Sequence, residues 1–291
     1  LGAVEFVDPS QKTAFAIPEF IKRVEELCGS DLIVENDNSV IGVSGFDPVR
    51  RELTRRLLEK ISRTKRIDLV FIDRTFADLK KDLLKQIKGD GEALAKEMRI
   101  SDFDPEIKQM LGSLRYRYSF TQNQYFHVAE VGWLGGLLAS ELEVDIKKAR
   151  RAGVLHDIGK AMDHAREGGH AILGADFIQQ KGEAPDIVHA VRAHHYDTQP
   201  NTVLDFLTIA ADAISGARPG ARRSTVETYN QKVTELENIA MSFDGVEDCF
   251  ILNGGREVRV ISNGKKIDDA KAVELSQKIA TRIENECSYP G

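Results

Sequence analysis

The chain has 291 residues, 42% of them apolar and 30% charged, with 8 prolines against 23 glycines; this excludes wholesale disorder or collagen-like repetition and predicts two domains, or one large domain with an appendage. A net charge of -6 excludes a protein that coats nucleic acid or an anionic membrane by bulk charge, while leaving room for a local basic groove. Three cysteines, Cys28, Cys249 and Cys287, odd in number and without a CxxC pair, exclude a disulfide framework and suit a reducing compartment.

The first 66 residues predict a small α+β module. It has a strand at Val4 to Val7, a helix from Pro18 to Cys28 closed by Gly29, strands at Leu32 to Val34 and Val40 to Val43, and a second helix. Asp47 precedes that helix, where a carboxylate caps free amides, Pro48 takes the first helical position, and Leu53, Leu57, Leu58 and Ile61 follow at helical spacing. Residues 67–103 read as a charged helical connector whose Lys80, Lys81, Lys85 and Lys88 form a solvated face and which Gly89-Asp90-Gly91 interrupts. Helical signals dominate 104–241: Asp104-Pro105 opens one helix, Gln122 to Leu142 is a long one, and Asp145 to Leu155 another. Val203 to Ile214 is the longest apolar stretch, but Asp205 and Asp212 cut it, and it falls short of the ~20 residues that span a bilayer. Residues 242–291 change texture, with a hairpin of Cys249 to Leu252 and Val258 to Ile261 around a Gly254-Gly255 turn, and a last helix from Asp268 to Glu286. The predicted class is α+β: a small α/β module, an all-helical domain, and a C-terminal β-hairpin plus helix subdomain.

The chemistry centres on His156-Asp157, at the end of an apolar helix. Such a pair alone is weak, because a satisfied buried histidine is common. His127 in the preceding long helix and Asp212 within Leu207 to Ile214 strengthen it. A carboxylate buried in that run costs several kcal/mol unless it is hydrogen-bonded to a cationic partner or binds a metal. Two imidazoles and two carboxylates suit Mn, Fe, Zn or similar divalent ions rather than calcium. Lys160, just past Asp157, either adds positive charge against a phosphate or is an ordinary surface lysine.

Two arginine-rich stretches flank these residues in sequence, Arg115 to Ser119 and Arg218 to Arg223. Arginines on a Gly/Pro turn suit forked phosphate contacts, unless the loop is tied to acidic neighbours. Tyr116 and Tyr118 suit base stacking or core packing equally.

The order His127, His156-Asp157, Asp212 resembles the HD superfamily of metal-dependent phosphohydrolases. Dinuclear members place second-metal ligands between the His-Asp pair and the last aspartate, where this chain has His170 and His194-His195. The resemblance thus implies two divalent ions, from Mn, Fe, Zn or Mg, a pairing suited to phosphodiester hydrolysis. The segments Ser44 to Glu52, Leu111 to Ser119 with Gln122-Asn123, Arg151 to Ala161, Ala210 to Ser215 with Ala217 to Arg222, and Gly255 to Arg259 further resemble the RNase Y family over residues 30–291. That resemblance implies a bacterial endoribonuclease of mRNA turnover, built as a homodimer with a KH RNA-binding domain, an HD domain, and an anchor and coiled coil absent from this chain. It implies a cytoplasmic site of action, membrane association through that anchor, and RNA-decay partners. Its site would use Asp157 and Lys160 in catalysis. Metal would be held by His127, His156, Asp157, His170, His194, His195 and Asp212, and single-stranded RNA by Arg115, Arg117, Ser119, Gln122, Asn123, Arg218 and Arg222. One departure stands out. The family's Gly-x-x-Gly clamp is replaced by Phe15-Ala16-Ile17-Pro18, so the KH-like module is expected to serve packing, dimerisation or protein contact. Hydrolysis of small or cyclic nucleotides, and a non-catalytic scaffold, remain the alternatives at this point.

Overall fold

The computed structural model describes residues 2–5, 17–34, 40–64, 66–119, 121–218, 226–252, 257–264 and 267–286. Its helices and small antiparallel sheets make it an α+β protein, as expected. The chain divides into two units, Leu1–Ala221 and Arg222–Gly291.

The first unit begins with β1 (Gly2–Glu5), α1 (Pro18–Cys28), β2 (Asp31–Val34), β3 (Val40–Ser44) and α2 (Pro48–Ser62). The strands pair antiparallel in the order β1-β3-β2, with Ala3 opposite Gly42 and Leu32 opposite Val43. Alternation along β3 sends Ile41 and Val43 to one face, where Val24, Leu57, Leu58 and Ile61 close a core over them. Asp47 caps α2 as expected, its Oδ1 accepting from the amides of Val49 at 2.8 Å and Arg50 at 3.2 Å. The expected strand at Val4 to Val7 lies earlier, at Gly2–Glu5; Phe6, Val7, Phe15, Ala16 and the turn at Gly254-Gly255 fall outside the described residues.

The expected break at Gly89-Asp90-Gly91 does not occur. Helix α3 (Leu69–Glu97) runs through it for 29 residues. Helical glycine costs about 1 kcal/mol relative to alanine, and close packing explains why Gly91 is there: a Cβ on it would lie 1.8 Å from the Lys108 carbonyl oxygen of α4 (Pro105–Ser113). The connector is also shared between two cores. Its Ile72 belongs to the N-terminal one, and Leu94 and Met98 enter the larger core with Ile107, Leu111, Val154 and Ile178. Its lysines 80, 81, 85 and 88 are exposed, as expected.

A short turn (Leu114–Tyr116) leads to β4 (Tyr118–Ser119) and β5 (Gln122–Asn123). The long helix α5 (Gln124–Glu141) starts two residues later than predicted because Gln122 and Asn123 pair with Ser119 and Tyr118, and the Asn123 side chain caps the Tyr125 amide. Then come α6 (Ile146–Leu155), a turn at Ile158–Ala161, α7 (His170–Gln180), α8 (Pro185–Ala193) and α9 (Val203–Ala217). Arg151 on α6 ties this array to its flanks, donating to both carboxylate oxygens of the buried Glu183 at 2.6 Å and to Asp102 at 2.8 Å. Arg151→Ala strands the Glu183 carboxylate, so unfolding in urea should show a loss of about 3 kcal/mol; a midpoint within error of the parent would refute that account.

The second unit holds α10 (Val226–Met241), the hairpin of β6 (Val246–Leu252) and β7 (Glu257–Ser262), and α11 (Asp269–Glu286). Leu236, Ile239, Cys249, Ile279 and Ile283 form its core. Among the described residues, no helix is long and apolar enough to cross a membrane.

Candidate metal centre

Five pieces of the first unit bring the predicted donors together. His127 comes from the first turn of α5, and His156 and Asp157 from the end of α6. His170 opens α7, His194 and His195 follow α8, and Asp212 lies on α9. The Asp157 carboxylate, 1% exposed, is the point on which they converge. Its Oδ2 lies 3.5 Å from His127 Nε2 and 3.3 Å from His156 Nε2, and its Oδ1 lies 3.1 Å from His170 Nε2 and 3.7 Å from His194 Nε2. Asp212 Oδ1 sits 3.1 Å from His127 Nε2 and 3.7 Å from His156 Nε2.

Two donor groups result, and they share Asp157. Asp157, His170, His194 and His195 form one, and His127, His156 and Asp157 the other; within each, the ligand atoms lie within 4.8 Å of one another. The ring orientations follow from their outer hydrogen bonds. A carbonyl oxygen can only accept, so His156 Nδ1, 2.8 Å from the Gly153 carbonyl, and His194 Nδ1, 2.6 Å from that of Val191, both carry hydrogen. In the neutral form of each ring, the form that binds a metal, Nε2 is then a lone pair aimed inward. His156 Nε2, His194 Nε2, His170 Nε2 and Asp157 Oδ1 are buried and have no hydrogen-bond partner. Leaving four such atoms unsatisfied costs about 1–3 kcal/mol each. Nitrogen and oxygen donors converging without partners are what a divalent metal ion requires.

Electrostatics agree with that fit. Burial alone would raise the Asp157 carboxyl, but the adjoining His156 and Lys160 hold it well below the usual range. Asp212 is likewise held low, against its burial, by His127 and His156. Burial, reinforced by His194 and His170, lowers His195 to about 4, and burial lowers His194 also. Neutral imidazoles with free lone pairs are the ligating form. His127 behaves oppositely: burial works against its charge, yet Asp157 and Asp212 raise it from 6.5 to about 9. A folded pKa above the unfolded one contributes stability that is complete below about pH 6.5 and lost as pH rises through about 9. The metal-free protein should therefore lose stability across that window, and a divalent ion bound at pH 7.5 should displace about one proton from His127. Calorimetry in two buffers of different ionisation enthalpy counts that proton, and zero release would contradict the arrangement.

Lys160 Nζ lies 2.6 Å from Asp157 Oδ2 and 3.2 Å from Gln124 Oε1, so it belongs to the centre and is not a free surface lysine. Five of the seven expected nucleic-acid contacts have their side chains engaged within the protein. Arg115 stacks over Tyr125 and Phe126, at 5.1 and 4.7 Å from their ring centres, and Arg117 pairs with Asp163 at 2.8 Å. Gln122 donates to the Ser215 carbonyl at 3.2 Å, Asn123 to that of Arg115 at 2.7 Å, and Arg218 pairs with Glu130 at 2.9 Å. Ser119 is half-buried in β4, Tyr116 is half-buried, and Tyr118 is exposed. Arg222 lies outside the described residues.

Sequence reasoning missed several supporting residues. His189 lies 3.1 Å from Asp205, which also accepts from the amides of Asn201 and Thr202; this ties α8 to the start of α9. Tyr196 turns the chain after His195 with a φ of 62, an uncommon left-handed conformation for a non-glycine residue. Ser215, noted only as the end of the Ala210 to Ser215 segment, and Glu130 were given no role although each stands three residues from a predicted ligand, Asp212 or His127, on the same helix face. That spacing was the available signal.

A helical array converging His, His-Asp and Asp on one centre defines an HD domain, and residues 125–217 match the HD domain family model. Over its whole length the chain is 63% identical to ribonuclease Y 2 of Bdellovibrio bacteriovorus, covering 56% of that protein. Over 93% of its length it is 47% identical to ribonuclease Y of Desulforudis audaxviator, covering 53%, and 45% identical to that of Geobacter metallireducens, covering 52%. The chain belongs to the ribonuclease Y family. It spans about half the length of the curated relatives it matches. No solved structure gives a significant match.

Proposed function

We propose that this chain is the catalytic part of a metal-dependent endoribonuclease that hydrolyses phosphodiester bonds in single-stranded RNA. The observation that carries this reading is the convergence of buried, partnerless nitrogen and oxygen atoms of His156, His170, His194 and Asp157. In it, His127, His156, Asp157 and Asp212 hold one divalent ion, and Asp157, His170, His194 and His195 a second, drawn from Mn, Fe, Zn or Mg. Ions bound there supply Lewis-acid polarisation of a phosphoryl oxygen and acidify water. The chain's own residues do the remaining work. Asp157 spans both positions, and the outer N–H bonds to Gly153 and Val191 keep two rings aimed inward. Lys160, anchored on Asp157 and Gln124, sets a positive charge against the growing charge on the phosphoryl oxygens. Arg115, Arg117, Ser119, Gln122, Asn123 and Arg218 flank the RNA path, exposed Tyr118 offers a stacking face, and Arg222, outside the described residues, is assigned to RNA contact on its sequence alone.

Hydrolysis breaks the bond between phosphorus and the 3′ oxygen. Water supplies the oxygen that joins phosphorus and the proton that the leaving 3′ oxygen takes, so the downstream fragment keeps a 5′-phosphate. The setting that accompanies this reading is a homodimer in mRNA turnover with RNA-decay partners, at the cytoplasmic side of a membrane anchor lying outside this chain. The N-terminal module then acts as a KH-like element used for packing or protein contact.

The test is to assay metal content and incubate the chain with a 5′-monophosphorylated single-stranded RNA, with and without manganese. Manganese-dependent internal cleavage with 5′-phosphate products is the expected result. Faster consumption of 2′,3′-cyclic nucleotides than of RNA would favour a small-substrate hydrolase, and bound metal without turnover a scaffold. Absence of metal under every loading condition overturns the reading.

A further inference from the structure

His156 and His194 are oriented by carbonyls of their own helices, which no side-chain substitution removes. His127 is held differently. Its Nδ1 lies 2.9 Å from Ser215 Oγ, and that hydroxyl lies 2.5 Å from Glu130 Oε2. A carboxylate only accepts, so the single hydroxyl proton of Ser215 is directed to Glu130. The Ser215 oxygen must then accept from His127 Nδ1–H, and its remaining lone pair faces Gln122 Nε2 at 3.4 Å. The other oxygen of Glu130 is held by Arg218 at 2.9 Å, which stops the carboxylate from turning away. A helical serine ordinarily returns its hydroxyl to the carbonyl one turn back. Ser215, 1% exposed, instead reaches across to a second helix.

We propose that Glu130 and Ser215 are positioning residues for the first metal position: together they keep hydrogen on His127 Nδ1 and present Nε2 as a ligand beside Asp157 and Asp212. This rests on the metal-dependent reading above. The relay serves the group of His127, His156 and Asp157, and the His170, His194 and His195 side takes nothing from it.

The experiment titrates the metal-free full chain with manganese alone, in the parent, Ser215→Ala, Ser215→Thr and Glu130→Gln, with circular dichroism to establish folding. Ser215→Ala should weaken one class of manganese site by about 10–100-fold and leave the other at parental affinity. Ser215→Thr, which keeps the hydroxyl, should restore most of that loss. Glu130→Gln changes almost no volume, so it guards against misfolding at position 215, and it should weaken the same class by about tenfold. Parental affinity in both Ser215→Ala and Glu130→Gln overturns the relay while leaving the metal reading intact, as does equal weakening of both classes. Failure of the parent itself to bind manganese overturns the metal reading, and the relay with it.

Discussion

Asp157→Asn should reduce RNA hydrolysis by more than about 10³-fold, beyond the about 10–100-fold expected for loss of an outer partner, and should cut bound metal sharply. The reason is that both oxygens of this carboxylate are in use: Oδ2 faces His127, His156 and Lys160, and Oδ1 faces His170 and His194. An amide offers one oxygen and one NH2, and the NH2 has no lone pair for a metal. Whichever way the asparagine is turned, one of the two donor groups loses its shared ligand. The charge balance fails as well, because Lys160 and the raised His127 are both held against Asp157. Elemental analysis of the purified variant, with cleavage of a single-stranded oligonucleotide, reads both effects. Parental metal content with parental cleavage would remove Asp157 from the centre.

Gly159→Ala should separate the two metal positions without changing any ligand. A Cβ on Gly159 would lie 1.9 Å from the carbonyl oxygen of His170 and 2.9 Å from the amide nitrogen of Gly174. Those are backbone atoms of the first turns of α7, so no side chain can swing aside. The helix must move as a body, carrying His170 Nε2 away from its 3.1 Å approach to Asp157 Oδ1. The expected outcome is a loss of about 1–3 kcal/mol in stability, as for overpacking. Manganese stoichiometry should fall toward one ion per chain, with the position at His127 and His156 kept. Gly89→Ala is the control: nothing lies within 4 Å of its Cβ, and it should be neutral or stabilising by up to about 1 kcal/mol through helix propensity. Urea unfolding and manganese titration of the pair decide the matter, and two variants that behave alike would sink the argument.

Much of the fold was legible because its signals are local. Asp47 with Pro48, the apolar spacing of Leu53 to Ile61, and the helix at Asp145 to Leu155 all rest on residues within a few positions of one another, and α2 and α6 formed there. Gly89 to Gly91 was misread for the same reason: locally a glycine weakens a helix, and the compensating contact comes from Lys108, seventeen positions further on. The candidate ligands were legible as residue types in an order, since a buried carboxylate within an apolar run demands a partner. Their supports were not. Ser215 accepts from His127 and donates to Glu130, both more than eighty positions away.

The sequence by itself determined the class of most segments and the residue types of the candidate nitrogen and oxygen donors, because periodicity, caps and residue chemistry are carried by the chain locally, and the order of its motifs carried the family resemblance. Only the tertiary structure decided that Asp157 is shared by two donor groups, which ring nitrogens carry hydrogen, and that the arginines and amides ahead of α5 are occupied by partners within the protein. Each of these depends on which atoms the folded backbone brings within about 4 Å, some from the same helix and others from distant ones, and hydrogen-bond direction and desolvation act only at that range.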